Sequence, residues 1–162
     1  MTIINIDKTN FSKVQHIYQQ GILSGAATFE TEVPDWHYWD INHLPYGRII
    51  AKNKTHFLGW AALSAVSKRK VYAGVAEVSV YVDAQFRGQN VGDFLLKKLI
   101  EISEKNNIWT LQSGIMRANT PSLKLHKNND FRIIGYKEKI GQLNGIWLDN
   151  IILERRSHTV GL

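Results

Sequence analysis

The segment from Ala76 to Leu96, AEVSVYVDAQFRGQNVGDFLL, changes its hydrophobic period part-way, and that change dictates the local chain path. Ala76, Val78, Val80 and Val82 recur at period two with Glu77, Ser79 and Tyr81 on the other face, which predicts a buried or half-buried strand. Asp83 to Gly92 breaks the alternation. Val91, Leu95, Leu99 and Ile102, flanked by Phe94 and Leu96, then return at helical spacing. A strand therefore runs through a glycine-containing turn into a helix that begins close to Asn90. The N–H groups in the first turn of such a helix have no intrahelical acceptor, and together with the helix dipole they favour an anion. The segment reads as a phosphate cradle with an acid, Glu77, at its far end.

The remaining chain supplies elements on either side. Thr2 to Ile6 reads as a strand, followed by a helix with Phe11, Val14, Ile17, Tyr18 and Ile22 on one stripe and Thr9 or Asn10 as its cap. A loop from Gly21 to Thr31 carries Phe29, and a Trp-rich helical or irregular segment runs from Pro34 to Leu44. Gly47 to Lys52 and His56 to Ala65 read as paired strands about an Asn53-Lys54 turn. After the long helix come a strand from Ile108 to Ile115, a helix opened by Asn119-Thr120-Pro121-Ser122, and a hairpin of Phe131 to Ile140 and Ile146 to Glu154 about Asn144-Gly145. The order predicts one α/β domain over residues 1–162, with a mixed central sheet of about seven strands and a parallel crossover from strand 76–82 to strand 108–115.

Composition narrows the function classes. A hydrophobic content of 44% excludes a disordered chain, and no apolar run approaches bilayer length. The N-terminus shows no secretory signal pattern and cysteine is absent, which removes disulfides, thiolate metal sites and cysteine nucleophiles and is compatible with a cytosolic address. The six histidines are scattered without zinc-like spacing, so no metal is expected, and no G-x-S-x-G elbow occurs. A formal charge of +6 favours anions, yet the basic residues are spread out, with Lys68-Arg69-Lys70 and Arg155-Arg156 the densest clusters. That reads first as a solvated basic surface, then as attraction of a phosphorylated small molecule, and least as a nucleic-acid face.

Arg87-Gly88-Gln89-Asn90-Val91-Gly92 resembles the Q/R-x-x-G-x-G/A signature of the GNAT N-acetyltransferase superfamily. Around it, TFET at Thr28 to Thr31, YAGVAEVSVYVD at Tyr72 to Asp83, WTLQSGI at Trp109 to Ile115, NTPSLKLH at Asn119 to His126 and NGIWLDNIILERRS at Asn144 to Ser157 resemble its phosphinothricin (methionine sulfoximine) N-acetyltransferase branch. The resemblance spans essentially the whole chain. It implies a GNAT-type fold with helices on both faces of the sheet and acetyl-CoA as cosubstrate. Arg87, Gly88, Gln89, Asn90, Val91 and Gly92 would then line the pyrophosphate, Val80, Tyr81 and Val82 would offer main-chain bonds to the pantetheine arm, and Asn119 and Ser122 would contact the cofactor or cap their helix. Two departures stand out: Asn90 replaces the signature's middle glycine, and Asp130 the glycine before the aromatic after the next helix. Both sites call for a left-handed backbone, which Asn and Asp tolerate best among non-glycine residues. Asp93 puts a carboxylate beside the cradle, where it would repel a pyrophosphate if it faced the loop.

Acetyl transfer to an amine needs a base, a polarised carbonyl and a proton for the departing thiolate. Glu77 lies five residues before Val82, about 16 to 17 Å along an extended strand at roughly 3.3 Å per residue, comparable to a pantetheine arm. It is the candidate base, and the resemblance places a family glutamate there. His126, matching a family histidine, is a second catalytic candidate, with Tyr81 an alternative proton donor. Backbone N–H near Val78 to Val80 would meet the oxyanion. For the acceptor, the resemblance points to Phe29, Glu30, Arg69 and Tyr72, with the Arg69 guanidinium suited to an α-carboxylate. The expectation is acetylation of the α-amine of a small amino acid or analogue by direct attack in a ternary complex, in a cytosolic homodimer with Trp147 and the terminal hairpin as contacts. The alternatives are another amine (a polyamine, a protein N-terminus, a drug) or a non-catalytic CoA-binding module.

Overall fold

The computed structural model describes residues 1–162, and its strands fall where alternating apolar residues end in turn residues. In chain order they are β1 (Thr2–Asn5), β2 (Ile49–Lys52), β3 (Phe57–Ala65), β4 (Val75–Val82), β5 (Thr110–Met116), β6 (Arg132–Leu143) and β7 (Ile146–Arg156). The helices are α1 (Phe11–Leu23), α2 (Trp36–Ile41), α3 (Val91–Lys105) and α4 (Thr120–Lys127). The strands form one seven-stranded sheet in the order β1-β2-β3-β4-β5-β7-β6. Neighbours are antiparallel except β4 and β5, which run parallel and are joined through α3.

Helices cover both faces, and the strand alternation decides which residue meets which helix. Leu95, Leu96 and Leu99 of α3 pack with Ala61, Leu63, Ala76, Val78 and Leu111 on one face. Burying each such leucine contributes about 1.5–3 kcal/mol. Phe11, Val14 and Ile17 of α1 and Trp39 of α2 pack with Ile50, Trp60 and Ala62 on the other. Ala76 and Val78 of β4 therefore belong to the α3 face, whereas Glu77, Ser79 and Tyr81 belong to the face that α1 and α2 partly cover.

Local chemistry explains the element ends. Asn90 is the N-cap of α3, and Pro121 sits in the first turn of α4. Asn144 and Gly145 both have positive φ, 50° and 81°, as a two-residue hairpin turn demands. The cap of α1 departs from expectation. Asn10 holds the position, but its Oδ1 accepts from Asp7 N–H at 3.1 Å and its Nδ2 donates to the Asn5 carbonyl at 2.9 Å, so its side chain ties the β1–α1 turn and does not cap the helix.

Candidate active site

The site begins where β4 and β5 part. Their pairing covers Val75↔Thr110, Ala76↔Leu111 and Glu77↔Gln112, then stops, although β4 continues to Val82 and β5 to Met116. On its other side β4 stays paired with β3 as far as Gly59↔Val82. From Val78 onward, then, the β5-facing edge of β4 carries main-chain polar groups with no strand partner, and such an edge takes an extended ligand. The closed end of the split is pinned at Gly74, whose carbonyl accepts from Trp109 N–H at 2.8 Å and Thr110 N–H at 3.0 Å.

The open end leads to the cradle. From Arg87 to Asp93 no main-chain N–H finds an acceptor within the protein; the first to do so is Phe94 N–H, which donates to the Asn90 carbonyl at 3.0 Å. Gly88 and Asn90 have φ of 75° and 60°, so the chain turns left-handed twice and gathers these donors at the α3 N-terminus. Asp130 is also left-handed, at φ 65°. Asp93 does not face the loop: Lys97 Nζ lies 2.8 Å from one carboxylate oxygen and Asn129 Nδ2 donates to the other at 3.0 Å. Those bonds, that of Lys97 foremost, hold its carboxyl below the usual range. A Cβ on Gly92 would lie 3.1 Å from Leu125 Cδ2, so this glycine serves the close approach of α3 and α4 while its N–H stays free. Unsatisfied donors on a left-handed turn, one pantetheine length from the closed end of the split, fit the pyrophosphate of acetyl-CoA.

The left-handed turn at Asn90 makes a simple expectation. Asn90→Val puts a β-branched residue at positive φ, which costs about 1–2 kcal/mol and should lower Tm by about 2–8 °C. Asn90→Gly should leave Tm close to wild type. Thermal melts of the two variants check this, and equal Tm values would contradict the conformational role.

Glu77 is exposed on the α1/α2 face, yet protein surrounds enough of its carboxyl for burial to push it above the usual range, with Lys137 opposing. Ser64 stands directly across β3 from it and Ser79 lies two residues along the strand. The α1–α2 loop arches over this face: Tyr81 OH donates to the Ala27 carbonyl at 3.4 Å, and the Phe29 ring lies against Gly141 of β6, 2.9 Å from where a Cβ would be. A cleft of about 340 Å³ beneath α2 is lined by Glu30, Tyr38, Trp60, Ser64, Ser79 and Tyr81 among others. A second, of about 410 Å³, lies between Gly25 and Ala26 of the loop, Met116 at the end of β5, and Trp147. Glu77 lines neither, but its neighbours Ser64 and Ser79 floor the first.

Of the acceptor residues suggested by resemblance, Glu30 lines the first cleft and Phe29 holds the loop to β6. Arg69 and Tyr72 lie apart on the exposed link before β4, the guanidinium 5.3 Å from the ring centroid, and neither lines a cleft. His126 is 3% exposed, donates Nδ1–H to the Ser122 carbonyl at 2.8 Å and packs edge-on against Phe131 at 5.0 Å. Burial lowers its pKa, so the ring stays neutral. Nδ1 and the ring face thus brace α4 and pack on Phe131, while the other nitrogen, Nε2, is buried without a hydrogen-bond partner. Asn119 caps α4, accepting from Ser122 N–H at 3.2 Å. Tyr81 stacks on Trp60 at 4.7 Å, its phenol is pushed far up by burial and its carbonyl faces Gly59 of β3, so its main chain serves the β3–β4 ladder and its side chain forms part of the wall of the first cleft. Ser64, Ser79 and Tyr38 escaped sequence reasoning, since neither the β3–β4 register that brings the serines together nor the packing of α2 that adds Tyr38 is written in one element alone.

No group of three or more His, Cys, Asp or Glu side chains is placed to hold a metal ion, and no helix is long and apolar enough to cross a membrane. Residues 14–131 match the acetyltransferase (GNAT) family. The chain belongs to that family and is an N-acetyltransferase. Among its relatives, the phosphinothricin N-acetyltransferase of Alcaligenes faecalis is 30% identical over 147 residues, 86% of this chain and 74% of that one. The L-methionine sulfoximine/L-methionine sulfone acetyltransferase of Pseudomonas aeruginosa is 34% identical over 92 residues, 57% of this chain and 54% of that one. In fold, the crystal structure of a GNAT superfamily phosphinothricin acetyltransferase from Sinorhizobium meliloti in complex with acetyl-CoA superposes with a TM-score of 0.88 at 23% identity, covering 99% of this chain and 90% of that one.

Proposed function

We propose that this acetyltransferase acetylates the α-amine of a small amino acid or analogue of the phosphinothricin and methionine sulfoximine type, by direct attack in a ternary complex with Glu77 as general base. The observation that carries the reading is the place of Glu77: the last residue of β4 paired to β5, on an open face, with the cradle one pantetheine length along the same strand. The main-chain N–H groups of Arg87 to Asp93 would hold the pyrophosphate and the free edge of Val78 to Val82 the pantetheine arm. Acetyl-CoA held there would supply the acetyl group as a thioester, its C–S bond breaking as the amine nitrogen forms the new N–C bond, and the CoA thiolate would leave and take up a proton from solvent or from the nitrogen. There Glu77 removes a proton from the acceptor ammonium, directly or through water, and free N–H groups near Val78 to Val80 steady the carbonyl oxygen. Its raised pKa brings Glu77 closer to neutral pH, which suits a base.

The test is release of free thiol from acetyl-CoA over a panel of amines that includes methionine sulfoximine, phosphinothricin, a polyamine and a peptide N-terminus. Turnover confined to amino acids is expected. Turnover only with the polyamine or peptide would replace the acceptor assignment, and acetyl-CoA binding without turnover would make the chain a CoA-binding module. We further infer that the protein works as a cytosolic homodimer through the hairpin tip, where Ile140, Ile146 and Trp147 are 51%, 64% and 57% exposed; sedimentation of Trp147→Lys as a monomer is the expected result.

A further inference from the structure

We propose that Lys137 holds the α-carboxylate of the acceptor amino acid, which would make it the residue that selects amino acids over simple amines. The inference rests on the reading above, that Glu77 takes a proton from an α-amine.

An α-carboxylate sits two bonds from the amine nitrogen, so a cation that binds it must stand on the face of the sheet that presents Glu77, at the open end of the split. Strand register says which residues share that face: Gln112, Gly114 and Met116 of β5, Glu154, Ile152 and Asn150 of β7, and Arg132, Gly135 and Lys137 of β6. Two of these are cations. Arg132 lies level with the closed end and is bonded to Glu154 at 2.5 Å. Lys137 lies level with the open end, opposite Asn150, and makes no ion pair.

The ground between Glu77 and Lys137 is open. Gly114 is exposed in the middle of β5, where a side chain would ordinarily stand, and a Cβ there would lie 3.3 Å from Asn150 Nδ2. A glycine inside a strand marks a place that another group approaches closely. Asn150 Oδ1, at the far side of this notch, is buried without a hydrogen-bond partner. Such an orphaned amide is costly unless something completes it. An amino acid with its amine at Glu77 and its α-carbon over Gly114 brings its carboxylate toward Lys137 and its polar groups within reach of Asn150. Lys137 is also the charged group felt at Glu77, where it acts against the burial that raises that carboxyl. The other cations suited to a carboxylate are engaged elsewhere, Arg117 with Asp149 at 3.7 Å and Arg69 over Tyr72.

The test compares methionine sulfoximine with its α-carboxamide in steady-state thiol release, using wild type, Lys137→Met and Lys137→Arg. Lys137→Met should raise KM for the acid by about 10- to 100-fold, the size of a charge-assisted bond, with kcat changed little. KM for the carboxamide and for acetyl-CoA should stay as in wild type, and Lys137→Arg should restore most of the affinity for the acid. An unchanged KM for the acid in Lys137→Met overturns the proposal, as does an equal rise for the carboxamide or equal use of both acceptors by wild type. Wild-type turnover of neither acceptor overturns the α-amine reading itself, and the role of Lys137 with it.

Discussion

Glu77→Gln should lower kcat by about a hundredfold to ten-thousandfold, the range over which a positioned acid or base contributes. The substitution keeps the shape of the side chain and removes only its capacity to take a proton, so acetyl-CoA affinity by calorimetry should be unchanged. The pH dependence gives the sign. Burial holds the carboxyl above its ordinary value, with Lys137 opposing, so wild-type kcat should fall as pH drops through that raised value, and Glu77→Gln should lack this limb. Stability should move the other way. Between the ordinary and the raised pKa the folded chain binds more protons than the unfolded one, so ionisation of Glu77 costs stability as pH rises through that window. Glu77→Gln should therefore melt no lower than wild type at neutral pH, and a loss of rate at unchanged Tm separates catalysis from folding. An unaffected kcat at saturating amine would remove Glu77 from the reaction.

Gly74→Ala should be the most damaging small substitution at the site. A Cβ on Gly74 would lie 2.0 Å from Trp109 Cε3 and 2.2 Å from Cδ2, positions only displacement of the indole can relieve. The indole has little room to move. A Cβ on Gly161 would sit 2.7 Å from Trp109 Cβ, and Arg156 Nη1 ties the tail down by donating to the carbonyls of Trp109 at 3.1 Å and Val160 at 2.9 Å. Overpacking of this kind costs about 1–3 kcal/mol, a fall in Tm of about 2–12 °C. Activity should fall with it, because the Gly74 carbonyl anchors β5 three residues before Glu77. Trp109→Leu in the same chain should return part of the loss, as neighbours that share one space do not add. A Gly74→Ala protein that melts with wild type would show that the contact is not tight.

Much of this arrangement is legible in the sequence. The period change in residues 76–96 gives strand, turn and helix, and Asn90 and Asp130 occupy the left-handed positions that their residue types permit. Asn144-Gly145 sets the last hairpin for the same reason. What sequence hides is register and direction. Ser64 joins Glu77 only through the β3–β4 pairing, and Lys137 shares its face only through the pairing of four strands and the one-residue register shift between Ile133 and Gly135. The burial of the His126 ring against Phe131 is likewise set by how α4 packs, which its own residues do not spell out. Gly114 is a glycine inside a strand, a signal that becomes meaningful once its neighbours are known.

Amide hydrogen exchange with and without acetyl-CoA tests the central claim most directly, because the account identifies which amides lack a partner in the protein. Arg87 to Asp93, with no main-chain acceptor, should exchange rapidly in the free protein. Acetyl-CoA should slow them together with the free-edge amides of Val78 to Val82, while the amides of β1 and β2 stay as they were. Protection that leaves Arg87 to Asp93 unchanged, or that appears on another part of the sheet, would contradict the placement of the cofactor and the role of Glu77 that follows from it.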